Sequence, residues 1–394
     1  MTRILTINSG SSSVKFALFQ MGPTESLVLS GRMERIGLSG GVFKAKGADG
    51  ATLVEQKKDL PDHAAAFKTL FDWLQGQDAA KTLDAVGHRI VHGGAEHTHP
   101  ERITPQMLAS LRELIPLAPD HLPHEIEAIE VVRRSYSSLA QVACFDTAFH
   151  ADMPRIARIY PLPSQFEQEG VRRYGFHGLS YEYILGEFRR DCGPEAADGR
   201  VVIAHLGNGS SLAAVRGGKS VDTTMGLTPT GGLVMSTRTG DLDPGVLLFL
   251  LREKRMSVKD VDELVTQRAG LLGVSGTSSD MADLLAQEAT DSHRADAVAL
   301  YCRQAKKFLA SFTAVLGGLD TLIFTAGIGE NSPAIRGRIC QGLEFLGVHI
   351  DTDRNTKSAA IISSERSPVS VRVMKTNEEL MIARHTNSLL QTSK

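Results

Sequence analysis

The chain has 394 residues, long enough for two or three domains, and its hydrophobic fraction of 42% is ordinary for a globular protein. A formal net charge of -2 gives no electrostatic reason to expect a nucleic acid or an anionic membrane as a partner. Four widely spaced cysteines without a C-x-x-C pair argue against a disulfide framework or a zinc site, and reduced thiols suit a cytoplasmic protein. We expect no signal peptide, and the apolar run GVLLFLL at 245–251 is too short to span a bilayer.

The first predicted element is a hairpin built around small polar residues. An apolar run at 4–7 leads into Asn-Ser-Gly-Ser-Ser-Ser at 8–13, and Lys15 and a second apolar run follow. Gly and Ser favour a turn, so the two apolar runs are predicted to pair as antiparallel strands. The same turn would expose backbone N–H groups and hydroxyls that can wrap a phosphate, although the stretch is not a Walker A loop.

A second hairpin of the same build lies about half a chain further on. The apolar strand VVIAHL at 201–206 is followed by a Gly/Asn/Ser turn and another apolar run. Aligning Ser11 with Ser210 gives an offset of 199 residues. Two related halves that each open on a strand, a turn and a strand indicate a duplicated domain. Two such hairpins facing each other across a cleft could hold one polyphosphate.

Helices and strands alternate along the rest of the chain, which indicates an α/β fold whose ligands bind where the strands end. The predicted helices are 62–75, 104–115 and 293–317, and Asp62 and Thr104 are start signals for the first two. The segments 85–94 and 140–150 are predicted to be buried strands that run into polar loops, and 321–329 is predicted to be a strand that follows the long helix.

Five motifs contain residues suited to phosphoryl transfer, which needs phosphate-binding turns, arginines and acids for a divalent cation. These residues are Arg89, Asp146, His177, Arg238 and the pair Glu378-Glu379. Arg238 lies in a glycine- and threonine-rich loop, where it can bind a carboxylate or phosphate in bidentate geometry. Each residue also has a structural alternative. Arg89 could form a surface salt bridge, and His177 could be a buried core residue. Asp146 could lie in a turn or cap a helix, and Glu378 could lie in a hinge or cap a helix.

Nine motifs follow one another between residue 4 and about residue 387: NSGSSSVKF, HRIVHGG, FDTAFH, YGFHG, HLGNGSS, MGLTP, TRTGDLDPG, GIGEN and TNEEL. In this order and spacing they resemble the acetate/butyrate kinase family of the sugar kinase–heat-shock-chaperone–actin superfamily. The resemblance implies an α/β fold of two duplicated actin-like (ribonuclease H-like) domains with a nucleotide cleft between them. It implies an N-terminal lobe at 1–149 plus about 381–394 and a C-terminal nucleotide-binding lobe at 150–380.

The resemblance also implies a reaction. Family members transfer the γ-phosphoryl group of ATP reversibly to acetate by direct in-line attack, giving acetyl phosphate and ADP, with Mg²⁺ or Mn²⁺ as cofactor. Two arginines and the metal ion would offset the repulsion between the two anions. A general base is not required, because a carboxylate is already ionised at neutral pH. The expected protein is a cytoplasmic homodimer with no nucleic-acid or membrane partner.

The resemblance assigns site residues motif by motif, with His177 as a hydrogen-bond donor and not a base. The predicted catalytic residues are Arg89, Asp146, His177, Asn208 and Arg238. The predicted acyl-substrate residues are Arg89, Val91, His121, Phe176 and Pro229, of which Val91, Phe176 and Pro229 form an apolar pocket for the methyl group. The predicted nucleotide- and phosphate-binding residues are Ser11, Ser13, Lys15, His205, Gly207, Asn208, Gly209, Asp280, Gly327, Ile328, Gly329 and Asn331. The predicted metal ligands are Asn8, Asp146 and Glu378.

The chain departs from the family at several motif positions. Asp120 and Leu122 replace an apolar residue and an asparagine, and Leu179 and Tyr181 replace a threonine and a histidine. Ala282 stands where an arginine is common. The first pair bears on acyl specificity, and Ala282 bears on the adenosine contacts.

Two alternatives to an acetate kinase stay open at this point. A propionate or butyrate kinase of the same family differs only in pocket size, which the sequence does not give. A non-catalytic actin-like nucleotide-binding module would have no acyl acceptor. Arg89, Arg238 and His177 argue against that module, since it has no need of a carboxylate site.

Overall fold

The computed structural model of the chain describes residues 1–10, 12–77 and 82–392. Internal contacts divide the chain into a first unit, Met1–Ala148 with Asn377–Lys394, and a second unit, Phe149–Thr376. The lobe boundaries predicted from the sequence fall one and four residues later than these. The second division lies directly before Asn377, because this residue caps the last helix.

The described residues contain thirteen strands in two sheets. They are β1 (Thr2–Ser9), β2 (Ser13–Met21), β3 (Ser26–Glu34), β4 (Val42–Gly47), β5 (Thr52–Lys57), β6 (Ala85–Ile90), β7 (Glu101–Arg102), β8 (Ala140–Phe145), β9 (Val201–Leu206), β10 (Ser210–Arg216), β11 (Lys219–Thr223), β12 (Thr321–Thr325) and β13 (Ser370–Val373). The strand order is β5-β4-β3-β2-β1-β6-β8-β7 in the first unit and β11-β10-β9-β12-β13 in the second.

The helices of the described residues surround these sheets. The α-helices are α1 (His63–Gln75), α2 (Pro105–Glu113), α3 (Leu122–Ser135), α4 (Arg155–Arg158), α5 (Ser164–Gln168), α6 (Gly178–Cys192), α7 (Pro194–Asp198), α8 (Pro244–Arg252), α9 (Val258–Gln267), α10 (Gly270–Ser275), α11 (Met281–Gln287), α12 (Ser292–Leu316), α13 (Ala326–Asn331), α14 (Pro333–Cys340), α15 (Thr352–Thr356) and α16 (Glu378–Gln391). Short 3₁₀ helices lie at Ile115–Leu117, Ala148–His150 and Glu344–Leu346. None of these helices is long and apolar enough to cross a membrane.

One five-strand plan occurs in both sheets. In the first sheet β3, β2 and β1 are antiparallel, and β1, β6 and β8 are parallel. In the second sheet β11, β10 and β9 are antiparallel, and β9, β12 and β13 are parallel. The two predicted hairpins are therefore the β1–β2 and β9–β10 pairs in equivalent places. This confirms the predicted α/β fold with a duplicated domain.

The sheet of the first unit is covered differently on its two faces. One face packs against α1 and α3 through a cluster of buried side chains that includes Phe16, Phe43 and Phe67. On the other face, Ala383 of α16 packs with Ile4 and other residues of β1 and β2. Since β1, β6 and β8 are parallel, their carboxyl ends lie along one edge of the sheet. This edge is where an α/β sheet binds ligands.

The predicted helices agree closely with the structure. Asp62 caps α1 by accepting the N–H of Ala65 at 2.8 Å, and Thr104 caps α2 by accepting the N–H of Met107 at 3.1 Å. The long helix predicted at 293–317 is α12, which ends at Leu316 and is followed by Gly317 in the left-handed region. Such start and stop signals are local, so a sequence can carry them in full.

The predicted strand at 321–329 is wrong beyond Thr325. The backbone turns at Ala326, which has a φ of 65°, and continues as the short helix α13. A positive φ is uncommon for alanine, so the apolar pattern gave no sign of the turn. The strands of the segments 85–94 and 140–150 end at Ile90 and Phe145, and the predicted loops begin there.

Candidate active site

Four predicted site residues of the first unit are joined by hydrogen bonds. Arg89, at the end of β6, donates to Oδ2 of Asp146 from Nε at 3.0 Å and from Nη2 at 2.5 Å. Its Nη1 donates to Oδ1 of Asn8, on β1, at 3.2 Å. Nδ2 of Asn8 in turn donates to Oε2 of Glu378 at 3.1 Å. The parallel strands place the first three residues at one edge, and α16 brings the fourth.

The start of α16 directs two carboxylates toward Asn8. Asn377 caps the helix, because its Oδ1 accepts the N–H of Leu380 at 3.0 Å. The interpretation of Glu378 as an N-cap is therefore wrong, and its carboxylate is used in the contact with Asn8. Oε1 of Glu379 also lies 3.4 Å from Nδ2 of Asn8. The first turn of a helix stabilises such negative charges.

The charge of Arg89 is held in place by its surroundings. The Arg89 side chain is 13% exposed and that of Asp146 is 1% exposed. Burial disfavours the guanidinium charge, but the carboxylates of Asp146 and Glu378 outweigh burial and raise the pKa of Arg89. Arg89 is thus a fixed cation at the strand ends, of the kind that binds carboxylates and phosphates.

Sequence reasoning missed one buried acid beside this group, Glu125 of α3. Its Oε2 accepts the N–H of Val91 at 3.0 Å, and its Oε1 is buried with no hydrogen-bond partner among the described residues. Burial raises the pKa of Glu125 to about 8, although the charge of Arg89 acts in the opposite direction. Glu125 follows Leu122 by three residues and precedes Ile129 by four, so helical periodicity would have placed it on the buried face.

We expect Glu125→Gln to change how stability depends on pH. Folded Glu125 keeps its proton up to a pKa of about 8, whereas the unfolded side chain loses it near its ordinary value of about 4.3. Raising the pH between these values therefore favours unfolding of the wild type, whereas the uncharged amide of the variant does not respond. In urea unfolding from pH 5 to 9, the stability of the variant relative to wild type should rise until about pH 8 and then level off.

The matched control for this prediction is the same change at the exposed Glu113 of α2. Glu113→Gln should leave the pH profile of stability as it is in the wild type. A constant difference between Glu125→Gln and wild type over the whole pH range would contradict a protonated Glu125.

In the second unit, His177 and Arg238 meet at the turn of the β9–β10 hairpin. Nδ1 of His177 shares a hydrogen bond with Oγ of Ser211 at 2.8 Å, and its ring stacks on His205 with centroids 4.1 Å apart. A Cβ at Gly209 would lie 3.1 Å from Nε2 of His177 and 3.6 Å from Nη1 of Arg238. A glycine in the turn therefore leaves room beside an imidazole and a cation, which are the groups that a phosphate needs.

The loop that carries Arg238 is fastened to this hairpin. Nη1 of Arg238 donates to the carbonyl oxygen of Pro229 at 3.0 Å. The N–H of Ser236 donates to the carbonyl oxygen of Asn208 at 3.1 Å. Gly270, with a φ of 61°, passes so close that a Cβ there would lie 2.2 Å from the Met235 carbonyl oxygen. Three predicted site residues of the second unit, Asn208, Pro229 and Arg238, are thereby brought together.

The predicted adenosine residues Gly327, Ile328, Gly329 and Asn331 all lie in α13. This short helix is held by Arg336, which is fully buried. Nη1 of Arg336 donates to the carbonyl oxygens of Gly329 at 2.8 Å and Glu330 at 2.9 Å. Nε and Nη2 donate to Asn355, and Nη2 also donates to Ser358. Sequence reasoning missed Arg336, although it directly follows a buried isoleucine in an apolar pattern.

The first hairpin is described except for one predicted residue, Ser11, which lies outside the described residues. The carbonyl oxygen of Ser13 accepts the N–H of Gly10 at 2.7 Å and closes the turn. The carbonyl oxygen of Gly10 also lies 2.8 Å from Nε2 of His63. Lys15 is exposed on β2, opposite Asn8 of β1. The structure thus places Lys15 on the same sheet face as Asn8.

Three further predicted residues occupy positions that a structural role would also explain. Oδ1 of Asp280 caps α11 by accepting the N–H groups of Ala282 at 2.8 Å and Asp283 at 3.1 Å. Phe176 is buried in the second unit. His121 is the residue directly before α3. Their predicted roles in binding nucleotide and acyl group stay predictions.

The donor set at Asn8, Asp146 and Glu378 suits a hard cation. Mg²⁺ takes oxygen ligands, usually one or two carboxylates completed by water and substrate phosphates. Among the described residues no group of three or more His, Cys, Asp or Glu could hold a metal ion by itself. The carboxylate of Glu378 contacts the Asn8 amide directly, and that of Asp146 is linked to the amide through Arg89. This donor set fits an ion that draws its remaining ligands from substrate and water.

Comparisons with known proteins agree over nearly the whole chain. The sequence model described as the Acetokinase family matches residues 3–384. An acetate kinase of Rhodopseudomonas palustris strain TIE-1 is 45% identical over 390 residues, which cover 97% of each chain. The solved acetate kinase of Porphyromonas gingivalis is 37% identical with a TM-score of 0.88, over 99% of this chain and 100% of that one. A solved propionate kinase of Francisella tularensis is 36% identical with a TM-score of 0.91, over 98% and 99%.

Proposed function

Since this chain belongs to the acetokinase family, we propose that it transfers the γ-phosphoryl group of ATP to the carboxylate of acetate. The products are acetyl phosphate and ADP, and the reaction is reversible. The observation that carries the proposal is the hydrogen-bonded group of Asn8, Arg89, Asp146 and Glu378. It combines a fixed cation for an anionic acceptor with carboxylates for a divalent ion. Together these groups would offset the repulsion between the anionic acceptor and the anionic triphosphate.

The first unit supplies the residues for the acceptor and the metal ion. Arg89 binds the acetate carboxylate and stabilises charge that spreads over the phosphoryl oxygens in the transition state. Asn8, Asp146 and Glu378 would hold Mg²⁺, and bound Mg²⁺ would neutralise phosphate charge. Asp146 has a second task, because its hydrogen bonds fix the direction of the Arg89 guanidinium.

The second unit supplies the residues for the nucleotide. His177 and Arg238 bind phosphate oxygens near Gly209, where a side chain would block them. His177 donates a hydrogen bond and does not act as a base, since the acetate carboxylate is already ionised at neutral pH. The residues of α13 that bind the nucleotide are Gly327, Ile328, Gly329 and Asn331.

We expect Arg336→Met to weaken ATP binding without affecting acetate. The change removes the donors to the carbonyl oxygens of Gly329 and Glu330, which leaves α13 without its brace. The KM for ATP should rise roughly tenfold while the KM for acetate stays within about twofold of wild type. Arg338→Met is the matched control, because Arg338 lies on the same helix but pairs with Glu288. Equal effects of the two variants on the KM for ATP would contradict the claim that the hydrogen bonds of Arg336 hold α13 in place for ATP.

Acyl preference decides between acetate and the larger acceptors of the family. Trapping the acyl phosphate with hydroxylamine, with ATP and Mg²⁺ present, gives kcat/KM for acetate, propionate and butyrate. One extra methylene in a small pocket costs about 1–3 kcal/mol, or roughly 10–200-fold. We expect acetate to be preferred, propionate to be accepted with a penalty in that range, and butyrate to be poor. A kcat/KM for butyrate at or above that for acetate would make a butyrate kinase the better assignment.

We further propose that the protein acts as a homodimer in the cytoplasm. Helix α8 supports the dimer, because its sequence PGVLLFLLR is strongly apolar yet none of its residues is buried. Leu248 and Phe249 are 44% and 49% exposed. Exposed apolar patches of this kind mark interaction surfaces. None of the four cysteines, all within the described residues, forms a disulfide, which agrees with the cytoplasmic location.

Phe249→Glu should weaken this dimer by at least about 30-fold in Kd, since a buried aromatic anchor is typically worth about 2 kcal/mol or more. Sedimentation velocity over a range of concentrations measures the effect. Phe345→Glu is the matched control, because Phe345 is 79% exposed at a different place in the same unit. A monomeric wild type, or equal dissociation of both variants, would contradict an interface at α8.

A further inference from the structure

Three cationic side chains stand side by side on the first unit, in a row that the proposed function does not use in full. The strand register sets Lys15 of β2 opposite Arg32 of β3, and Arg32 opposite Lys44 of β4. Directly opposed residues point to the same face, and neighbouring strands lie about 4.8 Å apart. The three cations therefore span about 10 Å on the face that also carries Asn8.

The row borders a groove of about 640 Å³ that lies wholly in the first unit. Lys46 adds a fourth cation to its lining, and the start of α16 forms another wall through Asn377 and Glu379. The lining includes only two carboxylates, those of Glu55 and Glu379, against the four cations. Apolar side chains such as Leu27 complete it. The groove is therefore basic and large enough for a small organic anion.

Ion pairs neutralise this row only in part. Nζ of Lys44 lies 2.6 Å from Oε1 of Glu55, and Nε of Arg32 lies 3.3 Å from Oε2 of Glu34. The arginine and both glutamates of these pairs are about half exposed, and surface pairs of this kind contribute little. Within the described part of the chain no hydrogen bond or ion pair is formed by the Lys15 side chain. Like charges directly opposite each other destabilise a sheet, so the row costs folding free energy unless an anion lies across it.

Protection of the sheet edge does not explain the row. Lysines near an edge strand prevent edge-to-edge association, and β5 is the edge strand on this side of the sheet. That explanation would cover Lys44 and Lys46 on β4. It does not cover Arg32 and Lys15, because β3 and β2 are interior strands with neighbours on both sides.

We propose that this groove is an anion-binding site for a small ligand that carries a diphosphate group. The planar guanidinium of Arg32 suits bidentate contact with phosphate oxygens, and the lysines on either side add compact positive charges. Adjacent phosphates match a row of cations better than a single anion does. The apolar part of the lining accommodates an organic group on the ligand. Since Glu379 is also within 3.4 Å of Asn8, ligand bound there adjoins the residues proposed for Mg²⁺.

The chain carries its own reporter for this site. Trp73 is the single tryptophan, and its ring lies edge-on to Phe16 at 6.0 Å and to Phe43 at 5.4 Å between centroids. These two phenylalanines are the sequence neighbours of Lys15 and Lys44, on the opposite face of the same strands. An anion that draws the strands' cations together should therefore alter the fluorescence of Trp73.

The test is a titration of the full chain with inorganic pyrophosphate at constant ionic strength, without Mg²⁺ or nucleotide, followed by Trp73 fluorescence and by calorimetry. We expect saturable binding that persists in Arg238→Ala. The double variant Arg32→Gln with Lys44→Gln should raise the Kd at least tenfold, while Lys57→Gln, an exposed change on the same sheet, should leave it within twofold. The double variant should keep its acetate kinase activity.

Four results would overturn the proposal. The first is no saturation by either method up to about 5 mM pyrophosphate. The second is loss of binding in Arg238→Ala, which would assign the anion to the second unit. The third is an unchanged Kd in the double variant. The fourth is equal binding of sulfate, which would indicate charge attraction without recognition of a diphosphate.

Discussion

Arg89→Ala should lower kcat for acetyl phosphate formation at least about 10²-fold, and Arg238→Ala should do the same, because each change removes a cation that we propose stabilises the transition state. Arg89 is fixed by Asp146 and Asn8, and Arg238 by the carbonyl oxygen of Pro229. Arginine-to-lysine variants should recover only part of the rate, since an ammonium group lacks the planar fork. Steady-state kinetics with saturating ATP and acetate measure both effects.

Stability has to be separated from catalysis in the Arg89 variants. Removing Arg89 leaves the carboxylate of Asp146 buried without its cation, and breaking a buried pair costs about 3–5 kcal/mol. Thermal unfolding should therefore be measured together with the kinetics. Arg89→Lys belongs in this comparison because it keeps a positive charge beside Asp146. Arg102→Ala, at an exposed position on β7, is the matched control and should stay within about twofold of wild type. A folded Arg89→Ala or Arg238→Ala protein with near-normal kcat would remove that arginine from the active site.

Glu378→Ala should lower the rate of acetyl phosphate formation at least about 10²-fold at ordinary Mg²⁺ concentrations. The carboxylate of Glu378 is held against Asn8, and α16 is capped by Asn377, so the loss cannot come from a missing cap. Glu378→Asp keeps a carboxylate on a shorter side chain and should recover part of the rate at raised Mg²⁺. Activity measured as a function of Mg²⁺ concentration follows the effect.

Glu379→Ala is the matched control for Glu378, because it removes the next carboxylate of the same helix turn. Its contact with Asn8 is longer, at 3.4 Å against 3.1 Å. We expect Glu379→Ala to lower kcat less than about tenfold and to leave the Mg²⁺ dependence close to wild type. An unchanged Mg²⁺ dependence in Glu378→Ala would instead support a purely structural role for this glutamate.

The elements that could be predicted from the sequence are those with local signals. Both hairpins follow from apolar runs around Gly/Ser turns, and the starts of α1 and α2 follow from the capping residues Asp62 and Thr104. The end of β12 could not be predicted. It depends on the positive φ of Ala326, which Arg336 and Glu330 hold in place from further along the chain. Tertiary contacts of this kind leave no periodic trace.

The candidate site shows the same division. Arg89, Asp146 and Glu378 were predicted because their motifs are specific in combination, and hydrogen bonds in the structure join all three residues and Asn8. Glu125 was missed, since a single glutamate in an amphipathic helix is usually a surface residue. Its burial comes from the packing of α3 beside the end of β6, where it accepts the N–H of Val91. Helical periodicity places Glu125 on the apolar face of α3, but the sequence does not show the contact with Val91 that its carboxylate makes there.

The measurement that tests the central claim most directly is ³¹P NMR of the purified chain with ATP, Mg²⁺ and acetate. Transfer of the γ-phosphoryl group to acetate predicts resonances of ADP and acetyl phosphate that grow in equal amounts, and their decrease when the reaction is run from acetyl phosphate and ADP. Inorganic phosphate without acetyl phosphate would show an ATPase, and unchanged ATP would show a chain without phosphotransfer activity, as expected of a non-catalytic module. Either result would contradict the assignment of Arg89 and its neighbours to an acyl acceptor.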